Sequence, residues 1–124
     1  MFFRKKKLLV PEEFETTDSG LKFRILKESD GRKPSAADSV TVHYCGTLED
    51  GTEFDSSYSR GEPATFALNR VIPGWTEGLQ LIGEGGEIEL EIPPELGYGA
   101  KGTSGGPIPP NATLTFRVEL IGIE

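Results

Sequence analysis

The 124-residue chain holds one cysteine, one histidine, one methionine and one tryptophan. A lone Cys45 can close no internal disulfide, so folding does not depend on an oxidising compartment. Zinc takes three or four protein ligands, and His43 with Cys45, two positions apart on one strand face, supplies only two. No metal or other cofactor is expected, and the pair reads as ordinary strand residues. No apolar run approaches the ~18 residues of a membrane helix, so no membrane partner is expected. A basic stretch precedes Leu8-Leu9-Val10, but this apolar segment stops at Pro11, short of the about 7 to 15 apolar residues in the core of a signal peptide. The expectation is a cytoplasmic chain, or a periplasmic one if the sequence is a processed or truncated form.

Positive charge is also scarce, with 13 Lys and Arg against 20 Asp and Glu. Arg4, Lys5, Lys6 and Lys7 take four of the thirteen, which leaves nine basic residues against twenty acidic ones, a charge of −11, in the remainder. Such a body repels phosphate backbones, so nucleic acid is not an expected partner. The basic tip reads as a solvated tail. A tether to RNA or anionic lipid through residues 2 to 9 is the least favoured alternative.

What is plentiful is punctuation. With 16 Gly and 9 Pro and a hydrophobic content of 35%, the chain is long enough for one core and rich in turns. Residues 1–19 lack sustained periodicity, with at most a short helical turn opened by Pro11-Glu12-Glu13, and read as an appended arm. From there on, residues 20–124 read as one domain. Leu21, Phe23 and Ile25 alternate with Lys22 and Arg24, and Val40, Val42 and Tyr44 with Thr41, His43 and Cys45, as half-buried strands do. Glu49-Asp50-Gly51-Thr52 marks a hairpin before Phe54. A polar loop through Ser56, Ser57 and Gly61 leads to a short strand at Ala64 to Leu68.

The period then changes. Trp75, Leu79 and Ile82 fall at i, i+4 and i+7 on one helix face, with Gly83 placed as a C-terminal cap. Ile88, Leu90 and Ile92 alternate with Glu87, Glu89 and Glu91, and Leu114, Phe116, Val118 and Leu120 alternate in the same way. Between these strands lie nineteen residues, Pro93 to Asn111, dense in Gly and Pro, and an insert of that length in a small domain points to function. The expected fold is α+β: about five antiparallel strands in a twisted sheet curved around one short amphipathic helix.

Several motifs imitate chemistry. Gly102-Thr103-Ser104-Gly105-Gly106 matches a hydrolase elbow, but prolines follow where that motif needs a helix. Gly97-Tyr98-Gly99-Ala100-Lys101-Gly102 matches a dinucleotide loop without the βαβ unit. Asn111-Ala112-Thr113 has the glycosylation pattern and reads as chance at a strand start. The carboxylates mostly alternate with strand apolar residues and so face water. What packing leaves unexplained is a set of aromatic and branched side chains at strand ends and in loops: Tyr44, Phe54, Phe66, Val71, Ile72, Trp75, Tyr98, Ile108 and Phe116.

The run Val71-Ile72-Pro73-Gly74-Trp75-Thr76-Glu77-Gly78-Leu79 resembles a signature of FKBP-type peptidyl-prolyl cis-trans isomerases. So do Asp50-Gly51 through Phe54-Asp55-Ser56-Ser57, then Ile92 to Gly99, Ile108 to Leu114, and Phe116 to Leu120. The likeness spans Ser19 to Glu124, and Ser19-Gly20-Leu21-Lys22 is similar to the bacterial branch that includes the macrophage infectivity potentiator proteins.

The resemblance implies an isomerase of Xaa-Pro bonds that assists folding, and an antiparallel half-barrel sheet of five to six strands around one short amphipathic helix, in agreement with the curved α+β sheet expected from pattern. It implies a prolyl pocket lined by Tyr44, Phe54, Asp55, Phe66, Val71, Ile72, Trp75, Tyr98, Ile108 and Phe116, with Trp75 as its floor. Phe54, Asp55, Trp75 and Tyr98 are the implied catalytic group. The Ile72 N–H and the Tyr98 hydroxyl are implied to bind carbonyls, and Arg60 to pair with Asp55. Implied partners are proline-containing polypeptides and macrolide inhibitors of the rapamycin type. Larger bacterial relatives dimerise through a long N-terminal helical segment that nineteen residues do not reproduce, so a monomer is expected. A module that binds proline segments with little turnover is the alternative. Two departures stand out: Ala64 replaces a rim phenylalanine of many relatives, and the Ala100 to Gly106 loop differs from eukaryotic members.

Overall fold

Successive side chains of a strand point to opposite faces, so a strictly alternating segment pairs into a sheet with one dry face and one wet face. The computed structural model describes residues 13–124. The basic tip, the Leu8 to Val10 run and the possible turn at Pro11-Glu12 lie outside the described residues. Seven strands form one antiparallel sheet: β1 (Glu15–Thr16), β2 (Lys22–Lys27), β3 (Ser39–Thr47), β4 (Glu53–Ser56), β5 (Ala64–Ala67), β6 (Glu87–Ile92) and β7 (Leu114–Ile123). Their order is β1-β2-β6-β7-β3-β4, with β5 also on β3. The expected open antiparallel sheet is therefore present, and the two-residue β1, too short to show a period, adds a strand to the expected count.

The long β3 organises the site. One edge pairs with β7 from Val40 to Thr47; the other is divided, with Ser39–Val42 on β5 and Cys45–Thr47 on β4. The chain leaving β4 must therefore reverse over a few residues to reach β5. It does so as α1 (Ser57–Arg60), a turn of helix where the sequence reads only as polar loop. Ser56 caps it by accepting the Ser59 N–H, and Gly61 ends it at φ 78°, a left-handed conformation that glycine adopts without strain.

On the dry face, Val40, Val42, Ile88, Leu90, Ile92, Leu114, Val118 and Leu120 are fully buried. Each large aliphatic side chain so buried stabilises the fold by roughly 1.5–3 kcal/mol. On the wet face the three glutamates of β6 meet cations across the ladder: Glu91 with Lys22 (3.9 Å), Glu89 with Arg24 (2.8 Å) and Glu87 with Arg117 (2.5 Å). Exposed pairs of this kind contribute about 0–1 kcal/mol each, so the buried face dominates.

Helix α2 (Pro73–Gly78) lies against this dry face. Proline suits its first position, where the missing N–H would have no intrahelical partner, and Ile72 precedes it in extended conformation. The helix sits close because Gly74 and Gly78, one turn apart, face β6. A Cβ would come within 2.8 Å of Ile92 at Gly74 and 2.6 Å of Leu90 at Gly78. The expected helix face is buried, with Trp75, Leu79 and Ile82 at most 4% exposed. The helix itself ends earlier than its apolar period suggests: Leu79–Leu81 tighten into a 3-10 turn and Ile82 is extended. Gly83 is consequently no cap, and a Cβ there would overlap the Gly31 carbonyl. Tertiary closeness, and not helix termination, requires that glycine. Among the described residues no helix is long and apolar enough to cross a membrane.

Candidate active site

The cavity forms where β3, β4, β5 and β7 meet the start of α2. Alternation places Tyr44 of β3 and Phe116 of β7 on the dry face, and Gly46 opposite Phe116 leaves room for that ring and for Phe54 of β4. Trp75, one turn into α2, projects between them. Its ring centroid lies 5.2 Å from Tyr44, 5.6 Å from Phe66 and 5.2 Å from Phe116, at interplanar angles of 85°, 88° and 86°. Phe54 stands edge-on to Phe116 at 5.4 Å. Such T-shaped contacts set positive ring edges against negative faces, worth about 0.5–1.5 kcal/mol each beyond the area they bury. The result is a stiff aromatic box with the indole as floor.

The box encloses a cavity of about 450 Å³, lined by Tyr44, Phe54, Asp55, Phe66, Arg70, Val71, Ile72, Trp75, Tyr98 and Phe116. Nine of the eleven site residues expected from sequence thus come together in one wall. Of the remaining two, Arg60 acts from behind that wall through Asp55 and Tyr44. Ile108 is 4% exposed and packs into the core beneath the long loop, outside the lining. Its N–H donates to the Thr103 hydroxyl at 3.0 Å, while the Thr103 N–H donates to the Ile108 carbonyl at 2.9 Å. The loop is accordingly hydrogen-bonded along its length, with a 3-10 turn at Pro94–Leu96 and the Asn111 N–H donating to the Gly99 carbonyl. This is what holds Tyr98 over the cavity.

One charged pair borders the box. The Tyr44 hydroxyl donates to Asp55 Oδ2 at 2.6 Å, Arg60 donates to Asp55 Oδ1 at 2.7 Å and to the Tyr44 oxygen at 3.0 Å, and the Ser56 N–H adds a bond of 2.9 Å. Burial pushes the Asp55 carboxyl upward and is the largest single influence, but the Tyr44 hydroxyl and the Arg60 guanidinium together overcome it and hold the group below the ordinary carboxylate value. Burial and then the bond to Asp55 push the Tyr44 hydroxyl the other way, above the ordinary phenol value. At neutral pH the pair is a carboxylate accepting from a neutral phenol and a cation. It is suited to fixing dipoles and unsuited to proton shuttling.

Two residues at the site were not legible as such in sequence. Ser57 is fully buried, and its Oγ accepts the Tyr44 N–H at 2.7 Å and lies 2.8 Å from His43 Nδ1. The only hint was the Asp55-Ser56-Ser57 run, which reads equally as a loop. Arg70 directly precedes the recognised Val71-Ile72 segment and lines the cavity, and no motif in the sequence singles it out. His43, weighed in sequence as half a metal site, instead bonds Ser57 and stacks on Tyr58 at 4.6 Å and 14°; Cys45 Sγ lies 3.3 Å from Glu53.

A sequence profile described as FKBP-type peptidyl-prolyl cis-trans isomerase matches residues 30–121, most of the chain. The chain belongs to this family. Curated FKBP relatives include FkpA of Aeromonas hydrophila, 55% identical over 113 residues (91% of this chain, 41% of that protein), and FkpA of Escherichia coli K12, 49% identical over 120 residues (97% and 44%). The chain spans less than half the length of these curated relatives. Among solved structures, Escherichia coli FkpA superposes with a TM-score of 0.87 at 48% identity, covering 99% of this chain and 57% of that one. A peptidyl-prolyl cis-trans isomerase from Pseudomonas syringae pv. tomato superposes with a TM-score of 0.83 at 33% identity, covering 98% and 92%. The FKBP fold and the family membership expected from sequence both stand on these matches.

Proposed function

We propose that this chain accelerates rotation about Xaa-Pro bonds of polypeptides by binding the proline in the aromatic box, and thereby assists protein folding. An amide resists rotation because resonance gives its C–N bond partial double-bond character, a barrier of about 18–20 kcal/mol, and Xaa-Pro bonds exchange unaided in tens to hundreds of seconds. In the twisted state the nitrogen lone pair no longer feeds the carbonyl, so the oxygen loses negative charge and the amide dipole falls. Water favours the planar, more polar state; a dry aromatic wall removes that preference.

The observation that carries this reading is the Trp75 box itself, three rings standing edge-on to one indole with Asp55 held ionised at its border. A thousandfold acceleration asks for about 4 kcal/mol at ~1.36 per factor of ten, a modest fraction of the barrier. Desolvation, shape and a fixed dipole supply that without covalent chemistry. Two donors at the cavity support binding of substrate carbonyls. Neither the Ile72 N–H nor the Tyr98 hydroxyl, on a side chain 42% exposed, bonds to another group among the described residues. Macrolides of the rapamycin type, with a ring in place of proline and carbonyls beside it, fit the same description.

We further propose a monomer. The outer sheet face carries paired charges, and only Tyr58, Tyr98 and Ile121 are exposed large hydrophobics among the described residues. The deciding experiment is magnetisation-exchange NMR on a proline tetrapeptide with and without the protein, repeated with rapamycin. Faster exchange abolished by rapamycin supports the reading. Binding without faster exchange makes the chain a proline-binding module.

A further inference from the structure

Arg70 lines the cavity, yet proline binding does not account for it. It ends the 3-10 turn Leu68–Arg70, beside Val71 and Ile72 of the wall. That turn is anchored firmly. Leu68 is fully buried, its N–H donates to the Asp38 carbonyl at 2.9 Å, and its carbonyl accepts the Thr76 hydroxyl of α2 at 2.6 Å. The backbone of Arg70 is therefore fixed relative to the floor of the box. Its side chain is exposed and makes no ion pair or hydrogen bond with any of the described residues.

The charge arrangement is unusual for this molecule. Asp55, the one acid in the lining, is already matched by Arg60. This leaves the guanidinium of Arg70 as uncompensated positive charge at the cavity, in a chain whose formal net charge is −7. A planar guanidinium takes a carboxylate through two parallel N–H···O bonds, a geometry that an ammonium does not reproduce.

We infer that Arg70 forms a carboxylate subsite, so that the segments this chain turns over best carry Asp or Glu flanking the Xaa-Pro pair. The inference rests on the isomerase reading above. Because the guanidinium is solvated, the gain is that of an exposed ion pair, about two- to fivefold in kcat/KM, and it weakens with salt over the Debye length.

Two peptide sets test it, each with one Xaa-Pro core and with Glu, Gln or Lys placed before the pair in one set and after it in the other. The expected result at low ionic strength is a Glu:Gln ratio of kcat/KM of about two to five in at least one set, with Lys below Gln, shrinking toward one near roughly 0.5 M salt. R70Q should bring the ratio to one, and R70K should keep part of it. A ratio of one in both sets, or a ratio that R70Q leaves unchanged, overturns the subsite. If no peptide is turned over, the isomerase reading fails separately. The same peptides titrated against Trp75 fluorescence then decide the subsite, a Glu:Gln difference in Kd lost in R70Q supporting it and equal values overturning it.

Discussion

Ser57 Oγ accepts the backbone N–H of Tyr44 at 2.7 Å from a position with no solvent exposure. The bond joins the first residue of α1 to the strand that carries a wall of the box, and the same hydroxyl lies 2.8 Å from His43 Nδ1 and 3.3 Å from the Tyr44 carbonyl oxygen. Ser57→Ala leaves a buried N–H unpaired, which costs about 1–3 kcal/mol. The expected outcome is a loss of stability of that size in denaturant unfolding, together with lower kcat/KM, because Tyr44 is also the hydroxyl partner of Asp55. An S57A protein as stable and as active as the parent would refute this positioning role.

Asp55 tests charge against shape. Asp55→Asn keeps the shape and one acceptor oxygen, enough for Tyr44 or Ser56 but not both, and withdraws the charge facing Arg60, whereas Asp55→Ala removes everything. With charge-assisted bonds at about 1.5–3 kcal/mol, kcat/KM should fall about tenfold or more in both variants. Full activity in Asp55→Asn alongside loss in Asp55→Ala would assign the role to shape alone.

The pH dependence follows from the same group. Its folded pKa is depressed, so the stability it contributes is present above the unfolded carboxylate value of about 3.9 and is lost as pH falls through the lower folded value. Measured by magnetisation exchange, kcat/KM should stay level from about pH 5 to 8 and drop only in the acid range, and Asp55→Asn should lack that acid limb. An inflection near pH 6 to 7 would point to a group other than Asp55.

Gly46 is a steric test of the box. A Cβ there would come within 2.7 Å of both the Phe54 and the Phe116 rings. Gly46→Ala should therefore destabilise the fold by about 1–3 kcal/mol through overpacking and move Phe54 out of the wall. Thermal unfolding and peptide turnover should decline together.

Trp75 Nε1 is, among the described residues, a buried side-chain polar atom with no hydrogen-bond partner. If the indole serves as a flat apolar floor, its N–H is dispensable and its area is not. Trp75→Phe should keep most of the turnover. Trp75→Ala should lose more than tenfold and cost about 3–5 kcal/mol of stability, read from kcat/KM and denaturant midpoints.

Much of this was legible in the chain. Alternation at Val40 to Tyr44, Ile88 to Ile92 and Leu114 to Leu120 marked strands and their dry faces, because side-chain direction in a strand is set locally by the backbone. The i, i+4, i+7 apolar spacing from Trp75 marked the buried helix face, and the recognised motifs marked nine residues of the cavity wall. The local period did not reveal that the helix stops at Gly78 and tightens into a 3-10 turn, or that Gly83 packs against the Gly31 carbonyl. Only the three-dimensional fold placed Ile108 in the core and Arg70 in the wall. It also turned Ser57 inward, as β4 and β5 share one edge of β3 and the chain between them must reverse sharply. These outcomes depend on which groups meet across long sequence separations, and no local pattern of hydrophobicity or turn chemistry encodes that.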